Sequence, residues 1–357
     1  MPERGSQGGP AACEPPFIDE LRRLGHQVEE EVYAYADTQP GLIRRISRVA
    51  TTARRFCELL RTGEFDLVHL NTSFDTRALF RDAITIQCLP AAEAKIFLKF
   101  HGSNARLLET VNPLLRSLSR SLLARSDGIG VLSSEERDNF LNAGVPENKL
   151  FIIKNVVKNK PDDPDPDFRA RLNLPKNVPL LLFIGRFIEA KGLIDVIRAC
   201  KVLRDSDQTF MLLCVGEGPA REIAEAEVAR FGLETNVRFF GYVPEEQAAG
   251  FYVNSTILLF PTYHYEGFPM VIFNAAAAGL PIITTRIRAA ADYLQEPANC
   301  LWVQPRKPDM LAERVISLLN NSHLSVSMSA NNKQLATRFS AEIVTSEYLQ
   351  VYAQIVK

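Results

Sequence analysis

The chain has 357 residues, of which 46% are hydrophobic and 23% charged, and its formal net charge is −1. That length suits two domains of ordinary size, each able to bury a core, and the near-neutral balance argues against nucleic acid as a partner. No apolar run reaches the roughly 20 residues needed to span a bilayer, and no signal peptide opens the chain.

Residues 1–16, MPERGSQGGPAACEPP, are rich in Gly and Pro and hold no run that reads as a strand. A helix is expected from about Phe17 to Leu24, and Gly25-His26-Gln27-Val28 leads into a strand. Apolar residues at 42, 43, 46, 49, 50, 53, 56, 57 and 60 keep a helical period, with Arg44, Arg45, Arg48 and Arg55 on the other face. Two buried strands follow, FDLVHL at 65–70 and IFLKF at 96–100. His101-Gly102-Ser103 stands at the carboxyl end of the second, where open α/β sheets bind ligands; a surface loop histidine is the alternative. A second basic helix is expected from about Asn112 to Ala124, with Arg116 and Arg120 one turn apart. GIGVL at 128–132 is a strand ending in Ser133-Ser134-Glu135-Glu136, a helix cap. Phe151–Val156 closes the first domain, and 157–177, with Pro161, Pro164 and Pro166 among many charges, reads as a linker.

Pro179–Gly185, PLLLFIG, opens a second domain with a fully buried strand. Gly185-Arg186 and then Lys191-Gly192 precede a helix that begins near Leu193, so two cations share one loop and can face one diphosphate. Spacing alone is a weak signal, because exposed cations are commonly just solvated. FMLLCVGEGP at 210–219 is a strand with a turn at Gly216, but it lacks the third glycine of a dinucleotide fold. VRFFGYVP at 237–244 and ILLFPT at 257–262 are further strands, and the second leads into HYEGFPMVIFNAAAAGLPIITT at 264–285. In this stretch Gly267 permits a close backbone approach, Pro269 suits a first helical position, and Gly279 with Pro281 ends the helix. Met270–Ala278 is then an apolar helix buried on nearly every side, whose N-terminal N–H groups suit an anion. Glu266 would repel a bare phosphate, so it makes sense as a group binding hydroxyls on a neutral part of the same ligand. Asn274 is the one polar side chain of the helix; a capping glutamate and a core asparagine are the alternative reading. A last helix runs from about Phe339-Ser340 to Val356.

Six cysteines at 13, 57, 88, 200, 214 and 300 form no C-x-x-C pair, and the five histidines show no ligand spacing. Reduced core thiols, a cytosolic setting and no structural metal are expected.

EGFP, the apolar helix and G-L-P-I-I-T resemble the nucleotide-sugar site of the group 1, or family 4, retaining glycosyltransferases of the GT-B fold. G-R then K-G, with Lys191 standing 75 positions before Glu266, resembles that family's diphosphate motif. V-G-E-G-P around Gly216 and the loop at Tyr242-Val243 are similar to its turn and its base-side loop. The resemblance implies an α/β fold of two Rossmann-like domains facing a cleft: an acceptor-side domain at 1–156, the linker, a nucleotide-sugar domain at 178–338, and a terminal helix at 339–357 crossing back to the first domain. It implies transfer of a sugar from a nucleotide-diphosphate donor to a polysaccharide, glycolipid or lipid-linked acceptor, with retention and without metal or other cofactor. Glu266, His101, Arg186 and Lys191 are the implied catalytic residues. The implied donor contacts are Gly185, Arg186, Lys191, Gly216, Tyr242, Val243, Glu266, Gly267, Phe268, Pro269, Met270 and Asn274.

Three features depart from the family pattern. Asn274 replaces the second of two glutamates, the glycine pair after the next strand is Arg286-Ile287-Arg288, and Gly8-Gly9 has no strand ahead of it. A weakened binding or scaffold protein, or a nucleotide-sugar epimerase on a similar frame, are the alternatives these departures leave. In a sheet of order 3-2-1-4-5-6 the first strand is central. Its absence is expected to leave a gap one strand wide between the strand near Val28 and that at 96–100, unless the edges close up or an upstream apolar strand fills it. The basic faces at 42–61 and 106–125 are either solvated or suited to an anionic membrane surface, as on the inner face of the cell membrane.

Overall fold

Continuous aliphatic runs, too short for buried helices and bounded by Gly, Pro and polar residues, form parallel strands. The computed structural model describes residues 9–32, 42–90, 94–103, 105–157 and 164–356. Residues 1–8 of the Gly- and Pro-rich opening, 158–163 of the linker, and the side chains of Arg44 and Arg45 lie outside the described residues. Contacts divide the chain into two units, one of Met1–Val156, Tyr265–Phe268 and Ala341–Lys357, the other of Val157–His264 and Pro269–Ser340.

The first unit holds a parallel sheet in the order β1 (Leu67–Thr72), β2 (Lys95–Phe100), β3 (Gly128–Val131) and β4 (Leu150–Ile152). Leu70, Leu98, Phe100, Ile129 and Val131 from the strands meet Leu79, Leu122 and Phe140 from the helices in one buried cluster. The terminal helix Ala341–Val356 packs on this unit. Its Tyr348 hydroxyl donates to the Lys154 carbonyl at 3.2 Å, and Lys154 pairs with Glu347 at 2.5 Å. Any side chain at Gly128 would run into Ile355 of the same helix.

The second unit holds β5 (Leu180–Ile184), β6 (Met211–Val215), β7 (Val237–Gly241), β8 (Ile257–Phe260), β9 (Ile282–Thr285) and β10 (Cys300–Val303). Its order is β10-β9-β8-β5-β6-β7, parallel throughout. The chain winds from β5 outward through β6 and β7, then returns to the other side of β5 at β8. The order therefore reverses between β5 and β8, and ligands of such sheets sit outside the carboxyl ends of the strands at that point.

The N-terminal region departs from the sequence-based expectation. One helix runs Gly9–Arg23 with Pro15 and Pro16 inside it, where a loop to residue 16 and a helix from Phe17 were expected. Proline disfavours that conformation, but Ala11, Cys13, Glu14, Phe17, Ile18 and Leu21 are all buried, and tertiary packing outweighs the local cost. The segment around Val28 is irregular rather than a strand, and β4 is shorter than Phe151–Val156.

The expected gap is displaced. β1 and β2 pair in full register, from Leu67 opposite Lys95 to Thr72 opposite Phe100, so no gap borders 96–100 on that side. Among the described residues β1 is instead an edge, and a cavity of about 500 Å³ runs beside it. Leu67–Asn71 line one side and His26–Glu31 another, with Phe17, Leu60 and Tyr352 on its walls. In the second unit the neighbouring place beside β8 is filled by β5.

The open edge makes an amide-exchange prediction. β2 is bonded on both sides and β1 on one, so the fastest amides of Leu67–Thr72 should exchange at least about tenfold faster than those of Ile96–Phe100. Equal protection would show that the edge is covered in solution.

Candidate functional site

In the second unit, the carboxyl ends of β5, β6 and β9 each carry a glycine or a cation, and that of β8 leads to His264. Gly185 leaves β5 at φ +146 and Gly216 leaves β6 at φ +139. A Cβ at Gly216 would collide with the Gly185 carbonyl oxygen, and one at Gly218 would lie 2.5 Å from the Phe187 carbonyl oxygen. The two loops are therefore clamped backbone to backbone, with Phe187 N–H donating to the Glu217 carbonyl at 2.8 Å. Gly192, at φ +83, starts the helix Leu193–Asp205, and a Cβ there would lie 2.7 Å from the Pro261 carbonyl oxygen. Only bare backbone lets the post-β5 loop lie this close to the post-β8 loop.

This packing buries Lys191, whose residue is 6% exposed and whose ammonium lies 5.3 Å from the Phe260 ring centre. Burial, and then the charge of Arg186, lowers its pKa to about 7. Arg186 itself is exposed on the same loop. His264, after β8, is pushed below the usual histidine range by burial and then by Lys191, Arg186 and Arg288. Lys191, Arg186 and Arg288 thus all lie near enough to His264 to act on its charge. Its Nδ1 is buried without a hydrogen bond among the described residues.

The helix expected at Met270–Ala278 runs Met270–Ala277, with Pro269, which has no polar side chain, at its N-cap. Ile272, Phe273 and Ala275–Ala277 are buried, and Phe273 packs 4.8 Å from Phe339. Gly279 ends the helix at φ +71. Asn274 is neither free nor a plain core residue. Its amide donates to Glu245 Oε1 at 2.9 Å and bonds to the buried Tyr252 hydroxyl. Glu245 opens the helix Glu245–Asn254, so a carboxylate stands beside the position where the family resemblance implies one. Tyr242 and Val243 follow β7, at the edge of the sheet; Tyr242 is exposed.

Arg288 takes φ +42 at the site of the missing glycine pair and is buried. The left-handed turn a glycine would serve is thus kept, at a cost of about 1 kcal/mol or more for a side chain. Arg288, Glu245 and His264 were not legible from spacing.

In the first unit, His101 follows β2 and its side chain is 10% exposed. Gly102, at φ +85, and Gly267 meet backbone to backbone: a Cβ on Gly102 would lie 3.0 Å from the Gly267 nitrogen. Glu136 locks this contact. It is fully buried and accepts from Ser103 N at 2.8 Å and Leu132 N at 3.1 Å, while its own N–H donates to Ser133 Oγ at 3.2 Å, the helix cap expected there. A Cβ on Gly267 would lie 2.8 Å from Glu136 Oε2. Glu266 and Phe268 flank that glycine, and Glu266 Oε1 is buried. Cys13, Glu14 and His101 bring ligand-type atoms within 4.8 Å of one another, but the Lys99 ammonium, 2.5 Å from Glu14, already supplies the cation there. On the basic faces, Arg54 and Arg55 pair with Glu58 and Glu31, while Arg116 and Arg120 are exposed. No helix of the described residues is long and apolar enough to cross a membrane.

Two family models match the chain, Glycosyltransferase Family 4 over residues 17–159 and Glycosyl transferases group 1 over residues 164–335. An uncharacterised glycosyltransferase of Methanocaldococcus jannaschii is 24% identical over 58% of the chain, and the match spans 54% of that relative. A 2-deoxystreptamine glucosyltransferase of Streptomyces kanamyceticus is 26% identical over 68% of the chain and 65% of its own length. The chain thus spans between about half and two thirds of these curated relatives. The crystal structure of Anabaena HepE in complex with UDP-glucose superposes with a TM-score of 0.77 over 98% of both chains at 17% identity. The GT-B fold, with its two parallel-sheet units, is shared.

Removing the Asn274 bridge tests its place in the packing. Asn274→Ala leaves the buried Tyr252 hydroxyl without its partner and should cost about 1 to 3 kcal/mol in denaturant unfolding. An unchanged midpoint would show that the bridge carries no stability.

Proposed function

Because the chain belongs to the group 1, family 4 glycosyltransferases, we propose that it moves a sugar from a nucleotide-diphosphate donor to a glycan or lipid-linked acceptor with retention at the anomeric carbon. One observation carries the reading: a lysine 6% exposed at the sheet's switch point shares one loop with the exposed Arg186. A leaving diphosphate is an anion that such a pair of cations suits.

In this reading the diphosphate rests on the second unit. Arg186 offers a planar fork, Lys191 a compact charge, and the start of Met270–Ala277 the positive end of a helix dipole. The buried Lys191 and the helix start are fixed before reaction, and with Arg186 they stabilise charge as it develops on the phosphate oxygen when the sugar–oxygen bond breaks. Asn274 and Glu245 hold the ribose hydroxyls, Glu266 orients the sugar, and His101 meets one of its hydroxyls. The reading calls for no protein base and no metal, because the cations neutralise the leaving group. The complex of HepE with UDP-glucose supports a nucleotide-diphosphate sugar as the donor class.

Arg186→Ala and Lys191→Ala should each lower turnover by about 10²-fold, the scale for losing one preorganised donor, read as nucleotide release in the presence of acceptor. Wild-type turnover in either variant removes the pair from the reaction. Donor affinity should also depend on pH. The free Lys191 has a pKa of about 7, below its ordinary 10.5, and a bound diphosphate favours the ammonium. Binding then takes up a proton above about pH 7, and affinity falls by up to about tenfold per pH unit as pH rises. Below that pH it is flat. Lys191→Arg stays charged and should abolish the slope; a pH-independent wild type would contradict the assignment.

A further inference from the structure

A buried polar chain in the first unit ends on His101. Glu14 and Lys99 are 1% and 2% exposed, and Lys99 Nζ donates to Glu14 Oε1 at 2.5 Å. The other carboxylate oxygen, Oε2, accepts from Asn71 Nδ2 at 3.2 Å. Asn71 Oδ1 lies 2.6 Å from His101 Nε2. Three elements supply these groups: Asn71 sits in β1, Lys99 in β2 with His101 just past its end, and Glu14 on the helix Gly9–Arg23. The Tyr348 ring, 5.3 Å from the Lys99 ammonium, closes the far side.

Charge gives this chain one direction. With an ammonium against it, Glu14 is ionised: burial alone would raise it, but Lys99, with the nearby histidines, brings its pKa down to about 2. An ionised carboxylate only accepts. The Asn71 amide must therefore turn its nitrogen to Glu14, since the flipped amide would set two acceptors against each other. That leaves its oxygen facing His101 Nε2, and an oxygen 2.6 Å away requires a proton on that nitrogen. A second proton, on Nδ1, is opposed by burial and by Lys99, with Glu14 offsetting only part, and the His101 pKa falls to about 3. His69 also faces His101 and is itself lowered to about 3 by burial.

We infer that Lys99, Glu14 and Asn71 hold His101 as the neutral Nε2–H tautomer, so that its Nδ1 presents a bare lone pair and accepts a hydrogen bond. Resting on the donor reading above, that acceptor faces a hydroxyl of the transferred sugar, and His101 is not a proton donor to the reaction. Lys99, Glu14 and Asn71 are positioning residues: their job is the orientation and tautomer of one ring.

The full chain, labelled with ¹⁵N in its histidine rings, reports this by two-bond proton–nitrogen correlation, with the His101 signals identified by their loss in His101→Gln. Wild type should show an unprotonated Nδ1 and a protonated Nε2, unchanged between about pH 5 and 8 where ordinary histidine titrates. Asn71→Leu removes the acceptor, and Glu14→Gln removes the charge that orients Asn71. Each should introduce the Nδ1–H form, and with it lower turnover by roughly 10²-fold at little change in donor KM. A wild-type Nδ1–H form, or ordinary titration of His101, overturns the inference. So does a Glu14→Gln protein that remains folded with tautomer and turnover unchanged. The tautomer is read without donor, so a chain that transfers no sugar would defeat the proposed reaction and leave this readout standing.

Discussion

The second unit keeps the Lys191 side chain out of water at the point where the order of its parallel strands reverses. The cost of desolvating Lys191 is what lowers its pKa to about 7, and it is tolerated because the loop carrying it is held by contacts that only glycine backbones permit. Gly185 against Gly216, Gly218 against Phe187 and Gly192 against Pro261 leave no room for side chains. The strands beneath are apolar on both faces, with Leu181, Leu182, Leu213, Leu258 and Ile283 fully buried. A rigid base and a tight loop together fix a charge where a mobile surface lysine would be solvated.

The first unit solves a different problem with the same physics. Its buried charges have partners within the unit: Lys99 with Glu14, and Glu136 with the backbone N–H groups of Leu132 and Ser103. A buried ion pair is weak support for stability but a strong constraint on geometry, and here it sets the direction of every hydrogen bond up to His101. Removing one partner would strand the other charge, so the pair and the ring it orients stand together.

Much of the second unit was legible because its signals are local. The strands from Leu180 to Thr285 are short aliphatic runs, and Pro269, Gly279 and Pro281 mark the helix Met270–Ala277 to within a residue. The parallel sheets and family membership follow from the same stretches. The first unit was less legible. Pro15 and Pro16 speak against a helix, yet it forms because its apolar face is buried. Val28 lies in a strand-like sequence but makes no strand. The groups that tune the candidate site are pairs distant in sequence: Glu14 and Lys99 are 85 positions apart, Glu14 and Asn71 are 57, and Glu245 and Asn274 are 29. No periodicity reports such pairs. Arg288 shows the limit from the other side, since an arginine in the left-handed region reads as a lost glycine until its φ is known.

The most direct measurement of the proposed reaction is the anomeric configuration of the product. A panel of nucleotide-diphosphate sugars, incubated with the full chain and glycan or lipid-linked acceptors, can be followed by proton NMR of the anomeric signals. The account predicts that one donor yields a new glycoside of unchanged anomeric configuration together with one equivalent of nucleoside diphosphate. An inverted product, an epimerised donor without transfer, or no turnover of any donor and acceptor pair would contradict it.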